Sequence, residues 1–199
     1  MSNVVVTAPT VEPVSVDEVR DHARISIHDD DPLIALHIKA AREYVTESIQ
    51  RALINTTYRL RMDSWCDKRY ADGEVIRLPM GPVSSVSSVQ YVDPAGTTTT
   101  LSASGYVVDT DSRIARLYPG YCLVWPPIRV QRQAVTVTYV AGYGATSASV
   151  PECIRRAICL LASHWYENRE PVNIGSIVNP IPYQIESLLS LERCHLVTR

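Results

Sequence analysis

The chain has 199 residues, of which 46% are hydrophobic and 20% charged, and its formal net charge is −2. That length suits one large domain, or a core with an inserted subdomain, burying about 70% of its unfolded surface. Mild acidity argues against a protein that grips nucleic acid through its phosphates, and five cysteines without a C-x-x-C pair argue against a disulfide framework or zinc site.

Residues 1–14 read as extended: Val4, Val5 and Val6 are β-branched, and Pro9 and Pro13 oppose helix. Ser15-Val16-Asp17-Glu18 is a capping box that opens a short helix to about Arg24. Asp29-Asp30-Asp31-Pro32 opens a second helix, with Asp31 as the cap and Pro32 in the first position. Its buried seam is Ile34, Ile38, Ala41, Val45 and Ile49.

The period then changes from helix to strand. Ile54, Thr56, Tyr58, Leu60 and Met62 alternate with polar residues, as a half-buried strand does. Strand-like pieces follow at Val75–Leu78, Val83–Val92, Thr97–Leu101, Tyr106–Val108, Ile114–Leu117 and Ala134–Val140, with a hairpin turn at Asp93-Pro94-Ala95-Gly96.

A third helix runs from Val150 to about 170. Ser149 is placed to cap it, Pro151 takes the first position, and Pro171 ends it. Its apolar stripe is Val150, Ile154, Ala157, Ile158, Leu161, Ala162 and Trp165, and Glu152 is spaced to pair with Arg156. As a core ring, Trp165 would cost about 3–5 kcal/mol on replacement by alanine. After a Pro/Gly/Asn-bearing segment, Tyr183, Ile185, Leu188, Leu189 and Leu191 form a last amphipathic piece.

Helices, then strands, then helices predict an α+β fold: a helical core with an inserted antiparallel β block. The expected divisions are 1–53, an N-terminal arm and helices; 54–145, the β subdomain; 146–170, the core helix; and 171–199, a C-terminal tail for partner docking. No signal peptide or membrane span is expected, and the thiols read as free, mostly buried groups in a reducing cytoplasm.

Few residues suggest chemistry. Asp29–Asp31 offers carboxylates to a cation, but an acidic helix start explains it better. His164 has no partner four residues on, and Cys153 and Cys159 lack an adjacent base. Gly142-Tyr143-Gly144 lacks the further glycine and the lysine of a phosphate loop, so it reads as a turn. No catalytic residue, metal or cofactor is expected. The remaining constellation is Arg113, Arg116, Arg129 and Arg132 around Tyr118, Tyr121 and Trp125. Three readings stay open for it: single-stranded nucleic acid binding, a protein–protein surface, or a solvated face.

Five segments, taken in order, resemble the head–tail connector (adaptor) proteins of tailed bacteriophages and gene transfer agents. They are P-V-S-V-D-E-V-R-D-H-A-R-I (13–25), D-D-D-P-L-I-A-L-H-I-K-A-A-R-E-Y-V-T (29–46), L-P-M-G-P-V-S-S-V-S-S-V-Q-Y-V-D-P-A-G (78–96), V-T-V-T-Y-V-A-G-Y-G (135–144) and V-P-E-C-I-R-R-A-I-C-L-L-A-S-H-W-Y-E-N-R-E (150–170). The resemblance implies a structural protein without catalysis, assembled in the host cytoplasm into the virion neck. It implies a homo-oligomeric ring, typically twelvefold, beneath the portal protein. The ring would join a stopper or tail-completion protein, touch DNA only in transit through its channel, and contact no membrane. It places portal docking in the tail, here Ile174, Ile177, Tyr183, Ile185, Leu188 and Leu189. A subunit or partner surface would use Arg113, Arg116, Tyr118, Tyr121, Trp125 and Arg129.

Overall fold

Two-residue periodicity builds the first of two units. The structure, a computed structural model, describes residues 1–65, 75–168 and 183–193. Among the described residues, the first unit holds Met1–Pro9 and those within Asn55–Tyr143; the second holds Thr10–Ile54 and those within Gly144–His195. The fold is α+β, with an antiparallel β block that follows the first two helices and precedes the third, joined by one strand from the N-terminus.

In the first unit, strands β1 (Ser2–Thr7), β2 (Thr56–Met62), β4 (Val83–Val92), β5 (Thr98–Thr100) and β8 (Val135–Ala141) form a sheet in the order β1-β2-β8-β4-β5. A second sheet has the order β3-β7-β6, from Ile76–Arg77, Arg116–Pro119 and Tyr106–Asp109. Both β2 and β8 show strict alternation of buried and half-buried residues. Thr56, Tyr58, Leu60 and Met62 therefore face the core together with Val135, Val137, Tyr139 and Ala141. Tyr58 lies opposite Tyr139 in the ladder, and their rings stack with centroids 5.7 Å apart. The Tyr139 hydroxyl donates to the Pro79 carbonyl at 2.8 Å, so this buried polar tip is satisfied. The hairpin turn at 93–96 forms as expected: Gly96 N–H donates to Asp93 O, and the Asp93 carboxylate accepts from Thr97 N–H at 2.8 Å. Gly96 has φ +95°, a conformation that favours glycine.

The extended N-terminal stretch divides. Ser2–Thr7 pairs with β2 and clusters with the sheet, because its backbone groups find their partners there. Val14 is buried in the helical unit.

In the second unit, helices α1 (Val16–Ala23), α2 (Asp31–Ile49), α3 (Glu152–Glu167) and α4 (Tyr183–Glu192) pack together. The capping box of α1 is complete, Ser15 with Glu18. The α2 seam is fully buried as expected, and so are Ile154, Ala157, Ile158, Leu161 and Ala162 of α3. Burying each large aliphatic side chain stabilises by about 1.5–3 kcal/mol. Arg155, not Arg156, pairs with Glu152, at 2.7 Å. Arg155 also donates to the Pro13 carbonyl at 3.2 Å and pairs with Glu18, tying α3 to the start of α1.

The first helical residues of α2 and α3 each lie one position from the expected prolines, at Asp31 and Glu152. Asp30, not Asp31, is the N-cap of α2, and it makes no side-chain cap bond. Its carboxylate instead accepts from the Tyr166 hydroxyl at 2.6 Å, while Asp31 lies 3.4 Å from Arg20. Pro151 is the N-cap of α3, and Ser149 does not cap. Ser149 belongs to a short 3-10 turn, where its hydroxyl meets Thr146 at 3.1 Å and its side chain fills the space a Cβ on Gly144 would need. The helix ends at Glu167, with Asn168 as C-cap, before Pro171.

Trp165 is half-buried, not core. Its ring meets His37 and, edge-on, Tyr44, each at 6.4 Å. Trp165→Ala should therefore cost about 1–2 kcal/mol, which urea denaturation of the purified chain would measure.

Candidate functional site, an anchored apolar loop

The residues between β7 and β8 leave regular pairing. Gly120 and the two prolines at 126 and 127 interrupt the strand pattern, and the segment 120–133 forms a loop. It is pinned at several points. Gly120 N–H donates to the Gly105 carbonyl at 3.0 Å, and a Cβ at Gly120 would lie 2.8 Å from the Ser104 carbonyl. Trp125 stacks on buried Trp65 with centroids 4.6 Å apart and planes 7° apart. Trp65 Nε1–H donates to the Pro126 carbonyl at 2.7 Å, and the Trp65 ring also meets Tyr91. Arg129 N–H donates to Val92 O at 2.9 Å, while its guanidinium lies over the hairpin turn, 2.5 Å from where a Gly96 Cβ would be. Gln133 N–H donates to the Asp63 carboxylate at 2.8 Å.

What this framework holds outward is apolar. Tyr121 is 94% exposed, Val124 79% and Leu123 51%, and Val130 is fully exposed. An apolar loop tip on a tied-down base is a usual mark of a protein-binding surface.

The expected surface residues divide accordingly. Tyr121, Trp125 and Arg129 lie in the loop, with Trp125 in its base; Arg132 is exposed near its end. Arg116 and Tyr118 are half-buried in β7, where Arg116 lies opposite Arg77 and Asp109 in the ladders. Arg113 is exposed in the β6–β7 connection. Hydrogen bonds from Ser112 hold the nearby Asp109 carboxyl below its ordinary range. Leu123, Val124 and Val130 were not singled out from the sequence. The signal was there: an apolar run ending in Pro-Pro that fits no strand. With Trp125 stacked on Trp65, the loop offers only Tyr121 as an exposed ring, which is a poor platform for successive bases.

Of the expected tail residues, Ile174 and Ile177 lie outside the described residues. Tyr183 opens α4. Ile185 and Leu189 are buried in the helical unit, and Leu188 is half-buried. The Arg193 guanidinium donates to Ser48, and Arg51 pairs with Glu192 at 3.6 Å, so α4 is clamped to α2.

The three described thiols are free but less buried than expected: Cys122 is exposed, and Cys153 and Cys159 are half-buried, while Cys66 and Cys194 lie outside the described residues. Burial, and then the Glu18 charge, push the Cys159 thiol up, away from a nucleophile's range. Iodoacetamide at pH 8 should therefore label Cys122 well before Cys159, a difference that peptide mass spectrometry would read. Asp30 and Asp31 are engaged as described, and the described residues contain no cluster able to hold a metal. Gly142 has φ +146° and donates its N–H to Pro82 O, as a turn residue does. No helix among the described residues is long and apolar enough to cross a membrane.

A packed helical unit and an antiparallel unit carrying a pinned loop with an apolar tip have the make-up of a structural component. The sequence model of the head completion protein family matches residues 12–191, and the chain belongs to that family. As such it is a structural virion protein and not an enzyme. No curated protein sequence matches the chain significantly. Among solved structures, it is similar to a chain from the neck of an empty gene transfer agent particle computed with C6 symmetry. Identity there is 27%, with a TM-score of 0.78 over 97% of this chain and 95% of that one. A chain from the native gene transfer agent virion is 26% identical, with a TM-score of 0.78 over the same shares. One from the neck of the native particle, computed with C12 symmetry, is 28% identical with a TM-score of 0.75, again over 97% and 95%.

Proposed function

We propose that the chain is a head–tail connector that forms a ring of twelve beneath the portal protein. The ring joins the capsid vertex to a stopper or tail-completion protein and surrounds the passage for DNA. It is assembled in the host cytoplasm and resides in the virion neck. The observation that carries this reading is the near full-length likeness to neck chains, one of them from a neck computed with C12 symmetry, within a family match spanning most of the sequence.

Charge supports a passage that DNA crosses without being held. Residues 10–54 and 144–195 carry nine Lys/Arg against fourteen Asp/Glu, while residues 55–143 carry nine against seven. Phosphate contacts add affinity and drag, and an acidic helical unit offers few. The anchored loop supplies a contact surface to a neighbour in the neck. Portal docking falls to the tail around Ile174 and Ile177, with Tyr183 and Leu188 at its margin. Ile185 and Leu189 hold that tail to the helical unit.

Replacing Tyr121 and Val124 together by serine should change stability by less than about 0.5 kcal/mol, because both are exposed. The same variant should lose incorporation into particles, read by immunoblot of purified virions. For the function as a whole, particles produced without the protein should contain heads lacking tails. Normally tailed, infective particles would refute the reading. Tight binding of single-stranded DNA to the Arg113–Arg132 region at low salt, weakening steeply as salt rises, would favour a nucleic-acid-binding module instead.

A further inference from the structure

Among the described residues, strand β1 is an open sheet edge: one side pairs with β2, and the other side is the margin of the sheet. All six residues Ser2–Thr7 are exposed, and Val4, Val5 and Val6 retain 52%, 49% and 45% of their surface. The strand has a register shift between Val5 and Thr7 but neither charge nor proline. Soluble proteins usually blunt an edge with such residues, because open N–H and C=O groups on a β-branched strand template further pairing.

A second open edge lies on the same sheet. On its side away from β8, β4 pairs with β5 only at Gln90–Val92, and Leu101 N–H reaches Val89 O. Among the described residues this leaves Val83–Ser88, six residues long like β1 and likewise uncharged, with register shifts between Val83 and Ser85 and between Val86 and Ser88. The run β1-β2-β8-β4 is antiparallel at each step. Four alternating strands make β1 and β4 point in opposite directions. A further copy that simply continues the sheet therefore brings its β1 antiparallel to this β4. Repetition of that contact is heterologous, which is what a closed ring requires.

Resting on the ring reading above, we propose that β1 of one copy pairs with the outer edge of β4, Val83–Ser88, in the next copy. The sheet then runs from subunit to subunit around the ring. The occupant is a second copy of this chain because both edges belong to it, match in length and lack charge, and meet with the polarity that antiparallel pairing needs.

The test uses the full chain assembled on purified portal. Val4→Lys with Val6→Lys alters only exposed positions, so the monomer should keep its circular dichroism and melting temperature while ring formation is lost. In a chain whose native cysteines are replaced by serine, Ser85→Cys is combined in turn with Val4→Cys, Val5→Cys and Val6→Cys. Oxidised rings of at least one combination should give a covalent ladder beyond the dimer on a non-reducing gel. If the lysine variant unfolds, the ladder alone decides. Rings from the lysine variant equal to wild type, or no ladder from any combination, would overturn the proposal. So would covalent dimers from Val5→Cys alone, which would mean that β1 pairs with β1. A wild-type chain that builds no ring on the portal would bring down the neck reading itself, an outcome distinct from wild-type rings that lack this contact.

Discussion

Trp65→Ala should destabilise the β unit by about 3–5 kcal/mol and set the loop 120–133 loose. Trp65 is buried beneath Trp125, touches Tyr91 and donates to the Pro126 carbonyl, so its removal leaves a cavity, an unstacked ring and an unpaired carbonyl together. Denaturation would report the free-energy loss. Hydrogen exchange would report where it falls, and faster exchange should concentrate in 120–133. Trp65→Phe keeps an aromatic ring under Trp125 but loses the N–H donor, and should cost only about 1 kcal/mol. If alanine and phenylalanine were equally mild, the stack would not be what holds the loop.

Ile158→Ala should cost the helical unit about 2–5 kcal/mol. Ile158 is fully buried at the centre of α3, the helix that packs against α1, α2 and α4. Because three helices meet that one, the site cannot collapse around a missing side chain by moving a single neighbour, which favours the upper part of the range. Urea denaturation followed by helical circular dichroism would measure it. A loss below about 0.5 kcal/mol would place Ile158 at the surface and contradict the packing.

Much of this architecture was legible in the sequence for identifiable reasons. The alternation Thr56, Tyr58, Leu60, Met62 encodes a strand with one buried face, and the Ser15–Glu18 box encodes a helix start by local hydrogen bonds alone. The misplaced features depend on distant partners. Asp30 does not cap with its side chain because Tyr166, 136 residues away, takes its carboxylate. Helices α1 and α2 close on Arg24 and Gln50 in the left-handed conformation, where glycine would have been the readable signal. Trp165 looked like core because it continues the apolar stripe, but the helix end turns it between His37 and Tyr44 at the surface.

The candidate site was only half legible. Its arginines and aromatics could be read from the sequence, but the distinction between anchor and tip could not. That distinction arises because Trp125 meets Trp65, sixty residues earlier, while Tyr121, Leu123 and Val124 meet nothing apolar that hides them. Local sequence cannot rank neighbouring aromatics by which one finds a buried partner.

Electron microscopy of the full chain mixed with purified portal tests the central claim most directly. A twelvefold ring of this chain seated coaxially on the portal, with an open channel, is the expected image. Portal rings that remain bare across a range of salt concentrations would contradict it.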